Sequence, residues 1–239
     1  MEEVIVILAG GLGKRLRPLT KNIPKSLIKF NDKPFIRHQI ELLAKKSFKN
    51  ILICLGYHGE KIKEFLGNGK GLNLKITYSF DGNTLLGTGG AILKARNYLS
   101  DVFFVLYGDS YLDINYKKIL DFFYENNRLN AKLGLMTVYK NNNQFDKSNV
   151  IYKNNMVALY DKKNINAEMN YIDYGLSILK KEALNLIKSE SGFYDLADLL
   201  NILSKKNQLL GFEVKKRFYE IGSLKGMKDF NNYITKKKI

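Results

Sequence analysis

Cysteine is nearly absent: Cys54 is the only one in 239 residues, and it sits inside the apolar run Ile51 to Leu55. A disulfide framework and a cysteine-rich metal centre are both excluded, and a buried, inert thiol is the expectation. No apolar run approaches the ~20 residues that a membrane span needs. The short N-terminal apolar stretch follows two glutamates, unlike a signal peptide, so a soluble cytoplasmic protein with no membrane partner is expected. Proline is scarce and no Gly/Ser-rich stretch occurs, so nothing reads as a linker. The chain is expected to fold as one domain over 1–239, with 45% hydrophobic residues to build its core. No hexapeptide repeat occurs, so no C-terminal β-helix is expected.

Negative charge is also in short supply, and the net charge is +16. Such an excess raises nucleic acid as a partner, because clustered Lys and Arg neutralise phosphates. Here the lysines are dispersed in pairs, among them Lys45-Lys46, Lys117-Lys118, Lys180-Lys181 and Lys205-Lys206, as solvated faces rather than one basic stripe. No nucleic-acid partner is expected.

Strand-like runs at Val4 to Leu8, Ile51 to Leu55, Leu74 to Tyr78 and Val102 to Tyr107 alternate with helical patterns, such as Ile36, Ile40 and Leu43 after Pro34. That order reads as βαβ units on a parallel sheet. After residue 130 the rhythm changes to strands at Lys132 to Tyr139, Val150 to Tyr152, Met156 to Tyr160 and Ile172 to Leu179. Helices are expected near Lys181 to Lys188, Tyr194 to Ser204 and from Leu224.

The first strand pours into a loop with three glycines, Gly10, Gly11 and Gly13, followed at once by Lys14, Arg15, Arg17, Lys21 and Lys25. A loop at the carboxyl edge of an open α/β sheet is where such folds bind ligands. Glycines there let backbone N–H groups approach phosphate oxygens. No GK[ST] closes the loop, so it is not a Walker A motif, and the third glycine of G-x-G-x-x-G is missing.

LAGGLGKRLRPLTKNIPKSL resembles the signature of the sugar-phosphate nucleotidylyltransferases, L-A-G-G-x-G-[TS]-R-L-x-P-L-T followed by P-K. The resemblance implies an α/β fold with a Rossmann-like, mostly parallel mixed sheet flanked by helices. Residues 1–130 would bind the nucleotide and 131–239 the sugar phosphate. It implies transfer of a nucleotidyl group from an NTP to a sugar 1-phosphate with Mg2+ as cofactor, by a monomer or homodimer. By the same resemblance, Leu8, Ala9, Gly10, Gly11 and Gly13 would hold base and phosphates, Arg15 the α-phosphate and departing pyrophosphate, and Lys25 the attacking phosphate.

DGNTLLGTGGAI matches the family's acidic residue followed by L-G-T-[AG]-[GA], placing Asp81, Gly87 and Thr88 against base and sugar. Gly87, Gly89 and Gly90 would offer bare backbone, with a helix beginning at Ala91. Gly108-Asp109 matches the G-D whose aspartate binds magnesium, a cation that takes one or two carboxylates plus substrate phosphates. LYDKK and IDYGLSIL stand where the family has E-K-P and N-[AT]-G-[IL]-[YF], so Asp161 and Gly175 would bind sugar hydroxyls and Lys162 the sugar phosphate. RFYEIGS resembles [WF]-x-D-[IVT]-G-[TS], with Glu220 in place of the metal-binding aspartate.

The doubled glycine of Leu8-Ala9-Gly10-Gly11 resembles guanylyl- and thymidylyltransferases more than the L-A-A-G of uridylyl- and cytidylyltransferases, so GTP is favoured. LLGTGGAI and the short length also resemble the compact heptose and mannose 1-phosphate guanylyltransferases, and equally the compact uridylyltransferases of cell-wall recycling. The alternatives are a cytidylyl- or uridylyltransferase acting on another phosphate acceptor such as phosphocholine or an amino-sugar phosphate, or an inert nucleotide-sugar-binding regulator.

Overall fold

The computed structural model describes residues 1–129, 131–189 and 191–237. In chain order its elements are β1 (Ile5–Leu8), β2 (Lys29–Phe30), β3 (Lys33–Pro34), α1 (Phe35–Lys45), β4 (Asn50–Leu55), α2 (Gly59–Leu66), β5 (Lys75–Phe80), α3 (Gly87–Lys94), β6 (Val102–Tyr107), β7 (Ser110–Tyr111), α4 (Tyr116–Glu125), β8 (Gly134–Lys140), β9 (Val150–Lys153), β10 (Met156–Tyr160), β11 (Tyr171–Lys180), α5 (Leu196–Lys205), β12 (Leu209–Glu213), β13 (Tyr219–Glu220) and α6 (Leu224–Lys236). The chain forms two compact units, the first from Met1–Leu85, Leu106–Asp113 and Phe218–Ile239, the second from Leu86–Val105 and Ile114–Arg217. The expected boundary between nucleotide and sugar parts falls at residue 130, outside the described residues, and each unit draws on chain from both sides of it.

In the first unit β1 pairs in parallel with β4, Ile5 opposite Ile51 through Leu8 opposite Cys54. β4 pairs in parallel with β5, Ile51 opposite Ile76 through Leu55 opposite Phe80. Strands buried on both faces read as unbroken apolar runs, which is why IVIL and ILICL were legible. Helix α1 turns Ile36, Ile40 and Leu43 inward, all fully buried. An aromatic cluster then fastens α6 within this unit: the Phe230 ring lies 5.0 Å from Phe30 and 4.9 Å from Phe35, both edge-on. Each such pair contributes about 0.5–1.5 kcal/mol beyond the area it buries.

The second unit is mixed in direction. β8 is central, antiparallel to β11 and parallel to β12. β12 is followed by antiparallel β10, and β10 by antiparallel β9. The mixed sheet with flanking helices is as expected.

Three local expectations are corrected. Helix α3 starts at Gly87 rather than Ala91, because the Tyr194 carbonyl accepts the N–H groups of Gly89 and Gly90 at 2.8 and 3.1 Å. First-turn donors that would otherwise be orphaned are thereby satisfied. Lys181–Leu186 forms a 3-10 helix rather than an α-helix. The strand β12 was not anticipated, its five residues lying directly behind helix α5. No helix among the described residues is long and apolar enough to cross a membrane.

Candidate active site

The loop that leaves β1 is tied down until it reaches its glycines. The Ala9 N–H donates to the Cys54 carbonyl at 2.9 Å, and the Leu8 carbonyl accepts the Gly108 N–H at 3.0 Å. At Gly10 the backbone passes so close to the neighbouring loop that a Cβ would stand 3.1 Å from Gly56 N and 3.5 Å from Asp81 Oδ2. The ends of β1, β4 and β5 thus bring Gly10, Gly56 and the buried Asp81 together at the carboxyl edge of three parallel strands. Cys54 lies beneath them, its thiol pushed up to about 12 by burial and then by the Asp81 charge. That inert thiol matches the expectation from sequence. Gly11 differs from its neighbours: a Cβ there meets nothing within 4 Å, and its φ is not positive.

Gly13, at φ +59°, adopts the left-handed turn that glycine tolerates best. The buried Thr20 hydroxyl donates to its carbonyl at 2.8 Å. This turn starts the 3-10 segment Lys14–Leu16, which buries Leu16 and leaves Arg15 exposed. The basic stretch beyond is pinned from the start of α2, where the Tyr57 hydroxyl donates to the Lys21 carbonyl and the Lys61 ammonium to that of Asn22, at 2.8 and 2.7 Å. Leu12, Gly13, Lys14, Arg15, Leu16, Lys25 and Gly222 line an open pocket of about 230 Å³.

Two carboxylates face the same place. Gly108 packs its bare Cα against Leu8 and Ala9, where a Cβ would fall 2.6 Å from the Leu8 carbonyl oxygen. This close approach sets Asp109 beside the glycine loop, and the Lys25 ammonium donates to Asp109 Oδ2. The Asp109 carbonyl accepts the Ile221 N–H at 3.0 Å, and β13 pairs with β7 so that Glu220 stands opposite Ser110. A side-chain atom on Gly222 would meet Glu220 Oε2 at 2.9 Å, Arg15 Nη2 at 3.1 Å and Asp109 Oδ2 at 3.3 Å. Arg15, Asp109 and Glu220 therefore converge on one bare glycine, with Lys25 alongside.

Among the described residues no group of three or more His, Cys, Asp or Glu could hold a metal. Two converging carboxylates nevertheless suit magnesium, which draws its remaining ligands from water and phosphate. Asp109 Oδ2 and Glu220 Oε2 are the atoms that would hold it.

The residues expected to contact base and sugar from the second unit have internal partners. The Cβ positions of Gly87, Gly89 and Gly90 are taken by the chain from Gly192 to Leu196. Small residues are needed there so that α3 can pack on this segment. The Thr88 hydroxyl donates to Asp195 Oδ1 and accepts the Leu196 N–H, both at 2.8 Å. Asp161 folds into a turn, accepting the N–H groups of Lys163 and Asn164 at 2.8 and 2.9 Å. Those bonds, led by the ones from Asn164, hold its carboxyl below the usual carboxylate range. Lys162 is exposed, its ammonium 5.9 Å from the Tyr160 ring centre. Gly175, at φ +102°, marks the bulge in β11, and its N–H donates to Asp173 Oδ1 at 2.9 Å.

Sequence reasoning missed Gly56, Ser223, Gly226 and Gln39. The Gln39 side chain is 1% exposed and donates to the carbonyls of Tyr107 and Ser110 at 3.0 and 2.8 Å, the two residues that bracket Gly108-Asp109. Its signal was a polar residue on the apolar face of α1.

The family model described as nucleotidyl transferase matches residues 4–237. The D-glycero-alpha-D-manno-heptose 1-phosphate guanylyltransferase of Campylobacter jejuni is 32% identical over 75% of this chain and 77% of its own length. The bifunctional protein GlmU of Methanococcus maripaludis S2 is 32% identical over 98% of this chain, which spans only 55% of that protein. Among solved structures, HddC from Yersinia pseudotuberculosis complexed with GMP-PN superposes with a TM-score of 0.81 at 25% identity, covering 97% of this chain and 99% of that one. With a family model spanning nearly every residue and relatives of this kind, the chain belongs to the nucleotidyl transferase family, as a sugar-phosphate nucleotidyltransferase.

Proposed function

We propose that the protein uses magnesium to transfer a nucleotidyl group, guanylyl by preference, from an NTP to a sugar 1-phosphate. The observation that carries this reading is the convergence of Arg15, Asp109 and Glu220 on the bare face of Gly222, with Lys25 on Asp109 and the glycine loop alongside. A phosphate oxygen of the sugar 1-phosphate forms the new bond to the α-phosphorus. The bond from that phosphorus to the bridging oxygen of the β-phosphate breaks, and the electron pair leaves with pyrophosphate. A phosphate monoester is already mostly dianionic at pH 7, its second pKa being about 6, so the nucleophile needs no general base. Charge is the larger problem, and fixed cations around the transferring group answer it.

Arg15 presents a planar fork to the α-phosphate and the departing pyrophosphate. Lys25, drawn from Asp109, neutralises the attacking phosphate. Asp109 and Glu220 would hold the magnesium, which would supply positive charge to the triphosphate. In the nucleotide subsite Gly10, Gly11 and Asp81 face the base, while Leu8, Ala9 and Gly13 shape the loop around it. In the second unit, taken by itself, exposed Lys162 is the residue assigned to the acceptor, with Asp161 shaping the turn beside it and Gly175 the bulge in β11. Guanine is favoured by the Leu8-Ala9-Gly10-Gly11 pattern and by the guanylyltransferase among the relatives. The reading carries a cytoplasmic location with it.

The test is a matrix of ATP, GTP, CTP, UTP and dTTP against heptose, mannose, glucose and N-acetylglucosamine 1-phosphates, read by pyrophosphate release. Release with GTP and one of the sugars, abolished by chelation of magnesium, is the expected result. Release in no cell of the matrix would leave an inert nucleotide-sugar binder as the surviving reading.

A further inference from the structure

Glu220 is one methylene longer than the aspartate whose place it takes, and an extended glutamate would overshoot a site built for the shorter acid. The side chain is not extended. It folds back over the start of α6, where Ser223 Oγ donates to its Oε1 at 2.6 Å and the Gly222 N–H donates to its Oε2. The same Ser223 hydroxyl caps α6 by accepting the Gly226 N–H at 2.9 Å. Gly226 lies directly beneath: a Cβ built on it would fall well inside contact distance of Glu220 Oε1 and of the Glu220 carbonyl oxygen. Only glycine at 226 leaves room for the folded conformation.

We propose that Gly226 and Ser223 are positioning residues for Glu220. Together they return the Oε2 of the longer acid to the place beside Asp109 Oδ2 and Arg15 where it can hold a divalent cation. The inference rests on the proposed function and deepens it at the metal site. The two hydrogen bonds engage one lone pair on each oxygen, and Oε2 keeps its other for the cation. The positive end of the α6 dipole favours a carboxylate held at that point. Glutamate at 220 and glycine at 226 thus form a pair: a Cβ at 226 forces Oε1 outward and swings Oε2 away from Asp109.

The experiment is a double-mutant cycle on the full chain with Gly226→Ala, Glu220→Asp and the double variant. Binding of Mn2+ alone is read by loss of the free-ion EPR signal, and thermal melting is recorded beside it. The Cβ also crowds the Glu220 carbonyl, so Gly226→Ala should lower the melting temperature in both backgrounds. Mn2+ affinity should separate them, falling at least about tenfold with Glu220 present and less than about twofold with aspartate there. Equal loss in both backgrounds, or loss in neither, overturns the proposal.

Should Gly226→Ala not fold, Ser223→Ala replaces it. Several-fold weaker Mn2+ binding, restored by Ser223→Thr, is expected, and unchanged binding overturns the proposal. Pyrophosphate release by the wild type keeps the two levels apart. A wild type that releases pyrophosphate without showing the coupling loses this inference alone, whereas one that neither releases pyrophosphate nor binds Mn2+ loses the function reading as well.

Discussion

Arg15 is the residue on which the proposed chemistry depends most. It stands on a one-turn 3-10 segment anchored by buried Leu16 and by the Thr20 bond to Gly13, so its backbone is fixed beside Gly222. Arg15→Ala should therefore lower turnover at saturating substrates by about a hundredfold or more, the scale for removing one preorganised charge from such a site. Near-normal turnover would sink the assignment. Lys25 and Asp109 were legible for the same reason as Arg15, since each sits in a motif whose chemistry is local to a few residues. Gly226 was not legible. What makes it necessary is the side chain of Glu220 folded over it, six positions earlier, and no spacing in the sequence reports that fold.

At the scale of elements, the strands were easiest to read, because a parallel strand buried on both faces is marked by an unbroken apolar run. Helix α3 was misplaced because glycines ordinarily argue against a helix start, and the Tyr194 carbonyl that satisfies its first turn comes from more than a hundred residues away. Helix α1 was read correctly as an element, yet its most consequential residue went unnoticed. Gln39 replaces an apolar residue on the inward face and donates to both carbonyls around the Asp109 turn. Gln39→Leu keeps the volume roughly but removes both donations, and a buried carbonyl that loses its donor costs about 1–3 kcal/mol. Lower thermal stability and a several-fold higher magnesium concentration for half-maximal activity are expected. A variant that loses stability while its magnesium requirement stays fixed would show Gln39 to be a core residue with no hold on Asp109.

For the whole molecule, the charge of +16 finds a structural place. Several lysines gather at helix C-termini: Lys45 and Lys46 on α1, Lys94 on α3, Lys205 and Lys206 on α5, Lys236 and Lys237 on α6. Cations there oppose the negative end of each helix dipole, and Lys46 and Lys237 both pair with Asp113 at 2.9 Å. The selective property of the chain is then expected to be recognition of one base. Sequence pattern favoured GTP through the doubled glycine, and the geometry of Gly11 turns that into a clean test. Its φ is not positive and its Cβ direction is open, so Gly11→Ala should fold with a melting temperature close to wild type. The added methyl reaches only what the loop binds. Wild type should prefer GTP or dTTP over CTP by at least about tenfold in kcat/KM, or ~1.4 kcal/mol, because polar groups matched to one base are left unpaired by another. Gly11→Ala should lose GTP activity while keeping its stability. Measuring kcat/KM for all five triphosphates on both proteins decides this, and a clear preference for CTP or UTP would overturn the base assignment while leaving nucleotidyl transfer in place.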